Sequence, residues 1–409
     1  MTGLYRLSRQ EGPTIHRQQV RGARGRIYQK MTKKLLLPED SRQRTGGNLK
    51  ITVPHMGRID LAYARVLERR GVTVIVPPRP SARSLKLGSQ VSPEFACLPF
   101  KLNMGNMMEA LEMGANTILT YGGCGPCRFG YYGCLQEEIL RDLGYQFVMG
   151  TTDDPDRMSS TIATIREITG IKSRWEGFRI FFFMMKRLSA ADEARKLSHR
   201  VRPREREKGA ATEAYQRALA LIDATSTLKE LRRVKRKMRG LFSSIPLAPE
   251  GKSSAVKIGI VGELFMVEEP NANFELERKL GEMGAYVERG IWLSEWLNER
   301  FHFEPWKSAR TKRAQRLARG YLEHSAGGES LISVGGAVDF ARKGYDGIVH
   351  LMPFTCMPEI VAQGILTRVS RDLSFPILTL IIDEHTGEVG VNTRLEAFVD
   401  LLRARKRRG

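Results

Sequence analysis

The sequence predicts an α/β protein with two Rossmann- or flavodoxin-like parallel-sheet domains and a helical insertion between them. Three observations lead there. Short apolar runs alternate with helical stretches of about 10 to 15 residues near both ends of the chain, as strands joined by helical crossovers do. A long, charge-rich stretch with helical patterning separates the two alternating blocks. The blocks also look like weak copies: Val53 to Val76 and Ile258 to Val287 both read strand, loop, helix, glycine, strand.

The elements follow in order. Residues 1–48 are basic and aperiodic and read as a flexible extension. Residues 49–155 form the first α/β domain. Lys50 to Val53 is a strand followed by the loop Pro54-His55-Met56-Gly57, and Ile59 to Arg70 is a helix stopped by Gly71. Val72 to Val76 is a strand closed by Pro77-Pro78. Leu102 to Met113 is a helix, Thr117 to Tyr121 a strand, Leu135 to Leu143 a helix and Gln146 to Met149 a strand. Residues 156–250 are the helical region and linker. Within it Arg179 to Met185, with Phe181-Phe182-Phe183, reads equally as strand or buried helix. Residues 251–409 form the second α/β domain. Its strands are Val256 to Val261, Ala285 to Arg289, Ile348 to Leu351 and Ile377 to Ile382. Its helices include Phe274 to Met283, the Trp292/Trp296 stretch and Ala314 to Tyr321.

The composition narrows the function class. Apolar residues make up 42% of 409, an ordinary globular share. No apolar run approaches the roughly 20 residues of a membrane span, and the basic N-terminus lacks a secretory pattern, so the expected location is the cytoplasm. The net charge is +21, which favours polyanionic partners. The excess is concentrated in the first fifty residues, in Lys229 to Arg239 and in the tail from Arg403. No aromatic RNA-binding signature interleaves with it, so a solvated basic surface is the expectation and nucleic acid is not an expected partner.

The chemistry is expected in the cysteines. There are five: Cys97, Cys124, Cys127, Cys134 and Cys356. An odd number without an export signal argues against a disulfide framework. Four lie within 38 positions, in a setting rich in glycine: Gly122-Gly123-Cys124-Gly125-Pro126-Cys127-Arg128-Phe129-Gly130-Tyr131-Tyr132-Gly133-Cys134. Thiolates bind iron, glycines let the backbone approach a bulky group, and Arg128 can offset negative charge. The competing readings are a structural zinc site, which wants a second paired set or spaced histidines, and a redox dithiol. Cys97 and Cys356 each precede a helix. For Cys97 the helix dipole and the nearby Lys101 are expected to depress the thiol pKa. In both blocks a cysteine follows the carboxyl end of a strand, where open parallel sheets hold ligands.

Four pieces occur together and in order: Ala96-Cys97-Leu98-Pro99-Phe100-Lys101, Gly123-Cys124-Gly125-Pro126-Cys127-Arg128-Phe129-Gly130, Pro353-Phe354-Thr355-Cys356-Met357-Pro358-Glu359, and Asp383-Glu384-His385-Thr386-Gly387 followed by Thr393-Arg394-Leu395-Glu396-Ala397-Phe398. Over roughly Leu49 to Leu402 the chain resembles the acyl-CoA dehydratase activase-related proteins (CoA protein activase), within the 2-hydroxyacyl-CoA dehydratase component superfamily. The resemblance implies an iron–sulfur protein of anaerobic electron transfer. In the dehydratases three widely spaced cysteines hold a [4Fe–4S] cluster with one iron open, which binds a thioester carbonyl for one-electron reduction to a ketyl radical. Cys97, Cys124 and Cys356 match those ligands by position. Cys127 and Cys134 either join a larger cluster, as in double-cubane relatives, or are spare thiols.

The resemblance also implies a partner, an ATP-dependent activator ATPase of the actin/Hsp70-like class. A related second subunit and an acyl-CoA substrate are further partners it suggests. This chain lacks the P-loop pattern and is not read as that ATPase. Two alternatives stay open: a non-catalytic cluster-bearing scaffold that docks the activator, and a zinc-stabilised nucleic-acid binder. Other polar residues carry structural expectations. His55, His350 and His385 are read as loop or capping residues near strand ends. Glu263 is read as a helix cap in preference to a residue reaching a cluster, Asp383 and Glu384 with Arg394 and Glu396 as an ion network, and Trp292 and Trp296 as core.

Overall fold

The computed structural model describes residues 48–120, 127–151, 157–249, 255–301, 304 and 309–408. Its described strands fall into two separate four-stranded, all-parallel sheets with the same internal order. In the first sheet, β1 (Lys50–Thr52), β2 (Thr73–Val74), β3 (Thr117–Thr120) and β4 (Val148–Thr151) run in the order β2-β1-β3-β4. In the second, β5 (Lys257–Gly262), β6 (Tyr286–Arg289), β7 (Gly347–Pro353) and β8 (Ile377–Ile382) run β6-β5-β7-β8. Register pairs Ile51 with Thr117 in one sheet and Ile258 with Gly347 in the other. The strands are short apolar runs because helices cover both faces; β7 is buried at every position. The fold is therefore α/β with two Rossmann-like sheets, and the internal duplication expected from the sequence is present in the topology.

The helices of the first half are α1 (Asp60–Glu68), α2 (Ala82–Val91), α3 (Leu98–Glu112) and α4 (Phe129–Asp142). A helical segment follows: α5 (Arg157–Thr169), α6 (Arg174–Val201), α7 (Ala210–Asp223) and α8 (Leu228–Ser243). The second half carries α9 (Leu264–Glu268), α10 (Leu276–Glu282), α11 (Leu293–Arg300), α12 (Ala309–Ala318), α13 (Ser330–Arg342), α14 (Met357–Asp372) and α15 (Glu388–Arg408). One apolar core runs from β1 and α1 through α6 to β5, β6 and α15. Each sheet keeps a second core on its other face, under α3 and α4 in the first domain and under α13 and α14 in the second. The helix α6 touches α1 on one side and β6, α10 and α11 on the other, so it braces the two domains.

The sheet order places a switch point between β1 and β3, and another between β5 and β7. Chain reversal there leaves a crevice beyond the strand ends. Before each switch strand a helix pair packs with unusual closeness. A Cβ on Gly105 of α3 would lie 1.8 Å from the Ser84 carbonyl of α2, and one on Gly335 of α13 would lie 1.8 Å from the Ala314 carbonyl of α12. The same device recurs at the same place in both halves.

Several boundaries differ from the sequence reading. The ambiguous Arg179 to Met185 is helix, inside α6. Its apolar run faces two domains at once and is buried without any strand pairing. Helix α2, with its reciprocal Ser81/Ser84 capping box, went unread because its composition is polar and holds Gly88. Helix α3 begins at Leu98 rather than Leu102, since Pro99 suits a first turn. Helix α4 begins at Phe129, not Leu135, which puts Cys134 on a helix. The glycines Gly130 and Gly133 hid that start. His350 lies inside β7 rather than at its end. All but the last residue of the 1–48 extension, and Cys124 with its neighbours 121–126, lie outside the described residues. No helix among the described residues is long and apolar enough to cross a membrane.

The close helix pairs are directly testable. Gly105→Ala and Gly335→Ala should each lower unfolding free energy by about 1–3 kcal/mol through overpacking. Gly364→Ala on α14, with nothing within 4 Å of its Cβ, should be neutral or stabilising by up to about 1 kcal/mol. Urea unfolding followed by circular dichroism reads all three.

Candidate functional site

Two cysteines end loops that immediately start helices. Cys97 is the N-cap of α3 and Cys356 the N-cap of α14, each with extended backbone and a proline in the first turn. The short repeats Cys97-Leu98-Pro99 and Cys356-Met357-Pro358 write this geometry twice. The proline fixes φ for the turn and gives up an N–H that has no helical partner there. Cys127 lies just before α4, after the carboxyl end of β3. Cys356 follows β7, the strand equivalent to β3 in the other sheet.

Three cysteine-bearing turns are tied together across the cleft. The Arg128 guanidinium donates to the Phe95 carbonyl at 2.8 Å and also to the Thr355 carbonyl. The Thr355 hydroxyl donates to the same Phe95 carbonyl at 3.1 Å. Phe95 is two residues from Cys97, Arg128 is next to Cys127, and Thr355 is next to Cys356. A second tie is the ion pair of Lys101 with Glu384 at 2.5 Å. Thr355 itself has φ of 65°, a left-handed conformation that costs a β-branched residue about 1–3 kcal/mol. The surrounding bonds hold it there and so set the direction of Cys356.

The thiols share one electrostatic environment. The charge of Cys97 acts on Cys356, and Cys127 acts on Cys97. The Tyr132 hydroxyl lies 2.9 Å from Cys97 Sγ. Amides of Phe100, Phe129 and Glu359 favour the thiolates of Cys97, Cys127 and Cys356, though no full capping bond forms on Cys97 or Cys356. Burial nevertheless dominates. It pushes the Cys97 thiol up to about 11, raises Cys127, and raises Cys356 further with help from Glu263 and Glu359. The expected depression of the Cys97 thiol by Lys101 and the helix dipole is therefore corrected. Lys101 is spent on Glu384, and desolvation outweighs the dipole.

The second domain adds three carboxyls. Glu263 caps α9 by accepting from the Phe265 and Met266 amides at 3.1 and 2.9 Å, and burial lifts it to about 7, with Glu359 adding to the rise. The cap expected for this residue is present, and its charge also acts on Cys97 and Cys356. Glu329 precedes α13, where Cys97 precedes α3 in the first half; burial and then Glu263 lift it to about 8. Glu359 is fully buried, with one oxygen 2.8 Å from His350 Nε2 and the other, Oε1, without a partner among the described residues. Gly262, at φ 139° and with its Cα against the Leu351 carbonyl, lets β5 turn into Glu263 at close range to β7.

The other sequence candidates fall into place around this centre. Cys134 is exposed on α4. His55 is buried with Nε2 on the Pro77 carbonyl at 2.7 Å, a loop-fixing role as expected. His385 is exposed at the turn after β8. The expected Asp383–Glu384–Arg394–Glu396 ion network is not formed: Asp383 holds Thr386 and the His385 amide, Glu384 holds Lys101, and Arg394 donates to the Thr379 carbonyl. Helix α15 points Arg394 along β8 rather than toward the loop. Trp292 is core, while Trp296 is half-buried and bonds Glu329. Sequence reasoning missed Tyr132, Glu329 and the role of Thr355. Only the paired cysteine–proline turns carried a signal for this geometry.

Among the described residues no group of three or more His, Cys, Asp or Glu side chains is drawn tightly enough to hold a single metal ion. The thiol set of Cys97, Cys127 and Cys356 is looser than such a cage. Around its mouth large apolar side chains are exposed: Phe95, Tyr131, Phe354, Met357, Ile360 and Val361.

No protein-family model and no curated protein matches the chain.

Two outcomes follow for metal-free protein. Among Cys97, Cys127, Cys134 and Cys356, alkylation with iodoacetamide at pH 8 should label Cys134 first and Cys356 last, as read by mass spectrometry of peptides. Stability should depend on Glu329, whose folded pKa is raised from 4.5 to about 8. The folded state then holds that proton more tightly than the unfolded chain, so stability falls as pH rises from 4.5 toward 8. Glu329→Gln should lose less stability than wild type between pH 5 and pH 8 in urea titrations.

Proposed function

We propose that this chain is an iron–sulfur protein of the 2-hydroxyacyl-CoA dehydratase and activase-related type. In this reading it receives low-potential electrons from an ATP-dependent activator for a reductive or dehydratase-like reaction. The observation that carries it is the meeting of Cys97, Cys127 and Cys356 at the carboxyl ends of two parallel sheets, locked by the Arg128–Phe95–Thr355 bonds. The motif resemblance over Leu49 to Leu402 supports the same reading.

The donor set favours a cluster over one ion. Zinc bonds of about 2.3 Å draw tetrahedral thiolates to within about 4 Å of one another, and no such tight group exists among the described residues. A cluster is wider and keeps its thiolates further apart. Cys97 and Cys356 would hold it, with Cys127 beside them. Cys124 remains a ligand by the resemblance, outside the described residues. A cluster there would supply one-electron transfer and an iron open to a substrate carbonyl.

The chain's own groups have definable roles. The N-termini of α3 and α14 direct positive ends of their dipoles at Cys97 and Cys356. Tyr132 orients Cys97 Sγ. Cys356 is itself buried, which limits water at its thiol. Glu263 and Glu329, lifted to about 7 and about 8, hold protons near neutral pH and so limit negative charge beside the thiolates. The exposed apolar side chains around the mouth suit a protein partner, which also favours the scaffold reading. Reduction of an acyl-CoA with the activator present separates an enzyme from a scaffold.

Anaerobically purified protein should contain iron and acid-labile sulfide and give a low-temperature EPR signal after reduction. Cys97→Ser and Cys356→Ser should each lose most of the iron, while Arg217→Gln on the surface of α7 should keep it. Zinc alone, or no metal, in anaerobic wild-type protein rejects the proposal.

A further inference from the structure

Among the described strands that edge the two sheets, β8 is the longest at six residues; β4 and β6 have four each and β2 has two. It pairs with β7 in parallel along its whole length. The Pro376 and Ile382 carbonyls accept from the Ile348 and Phe354 amides of the β7 side. The even-numbered residues therefore turn their backbone groups toward β7, and Ile377, Thr379 and Ile381 present theirs to the open side. Among the described residues, Arg394 alone bonds to that side, reaching the Thr379 carbonyl at 3.4 Å, a long and weak contact. The side chains along the edge are apolar and incompletely covered: Ile381 is 40% exposed, and Ile377 and Leu378 are half-buried.

The two ends of this edge carry opposite charge. Beside the start of β8 lies an open groove of about 610 Å³, lined by Ile377, Leu378, Phe398 and Leu401 and by two arginines, Arg371 and Arg405. Both arginines are exposed, and neither meets a carboxylate among the described residues; Arg405 donates to the Ser374 carbonyl. At the other end Asp383 directly follows β8. It accepts from the Thr386 hydroxyl and the His385 amide and forms no ion pair among the described residues. An edge with unmatched cations at its start and an unmatched carboxylate at its end is complementary to itself once reversed.

We propose that β8 binds a second copy of this chain, the two β8 strands pairing antiparallel about a two-fold axis at Thr379 and joining two four-stranded sheets into one. The register follows from the backbone. With the axis at Thr379, Ile377 stands opposite the second copy's Ile381, and Thr379 opposite its own counterpart. Every outward N–H of the three residues then meets an outward carbonyl. Residues opposite each other in an antiparallel pair share a face, so the exposed Ile381 is covered by an isoleucine. The same axis sets the second copy's Asp383 level with Phe375, which lines the groove together with Arg371 and Arg405. The charges select this direction, since parallel edges would bring the arginine ends together. A two-fold pairing also closes on itself and leaves neither β8 edge open. The weak Arg394 contact is given up in exchange for the central amide bonds.

The test is sedimentation velocity of the anaerobically purified full chain over a concentration series. A thiol reductant keeps Cys134, exposed on α4, from cross-linking copies. The expected result is a reversible monomer–dimer equilibrium. Ile381→Lys should raise the dimer Kd about tenfold or more, because a lysine on an edge strand opposes strand pairing. Its circular dichroism should match wild type, since Ile381 is already part exposed. Leu143→Lys, at an equally exposed apolar position after α4 in the first domain, should leave the equilibrium unchanged. Thr379→Cys tests the register: the axis puts the two Cα atoms about 5.5 Å apart, within disulfide reach. Mild oxidation should link that variant above the wild-type background and should not link Ile377→Cys. A monomer at every concentration, a dimer indifferent to Ile381→Lys, a dimer lost equally in Leu143→Lys, or no added linkage in Thr379→Cys would each overturn the proposal.

Discussion

The relation of the two sheets rests on a buried ion network around Arg289. This guanidinium, at the end of β6, is fully buried and holds Glu277 of α10 at 2.8 Å and Glu268 of α9 at 2.8 Å. Glu277 also faces Arg195 and His199 of α6. Burial opposes the charge on Glu277, but Arg289 and His199 outweigh it and hold its carboxyl well below the usual range. Glu268 further accepts from the Leu293 amide, and Asp192 of α6 accepts from the Ser294 amide. Desolvated charges tolerate little displacement, since a partner moved away leaves an uncompensated ion. The network therefore fixes α6 against the second sheet. The apolar contact of α6 with α1 carries that constraint to the first.

With α6 fixed, the carboxyl ends of the two sheets face each other. Single short-range bonds then determine the site: Arg128 and Thr355 converge on one carbonyl, and Lys101 reaches Glu384. The strained backbone at Thr355 is maintained by these bonds, not by its own preference. The half-to-half correspondence extends to the residues at the crevice. Cys97 before α3 corresponds to Glu329 before α13, and both residues face the same crevice. One half has a thiol at that position and the other a carboxyl whose pKa burial raises.

Much of the fold was legible in the sequence because parallel strands covered on both faces must be short apolar runs, and glycines ended the helices. Ile377 to Ile382 and Lys257 to Gly262 stand nearly where periodicity put them. Helix α2 was not legible, because its face is buried against one neighbouring helix through glycine contacts rather than through an apolar stripe. The segment around Phe181 was ambiguous for the opposite reason, being apolar on too many sides to show a period. At the site, the cysteines and the residues around them stood out by type and by motif. Tyr132 and Glu329 did not, since a tyrosine on a helix and a glutamate in a loop are ordinary until something is placed beside them.

The sequence by itself determined that this chain is built of repeated α/β units and that Cys97 and Cys356 stand at turns that open helices, because those features are local in spacing and composition. Tertiary structure alone decided which distant turns meet and what their protonation is. Those depend on burial and on charge across contacts of more than two hundred residues, such as Arg128 with Thr355, and no local pattern encodes them.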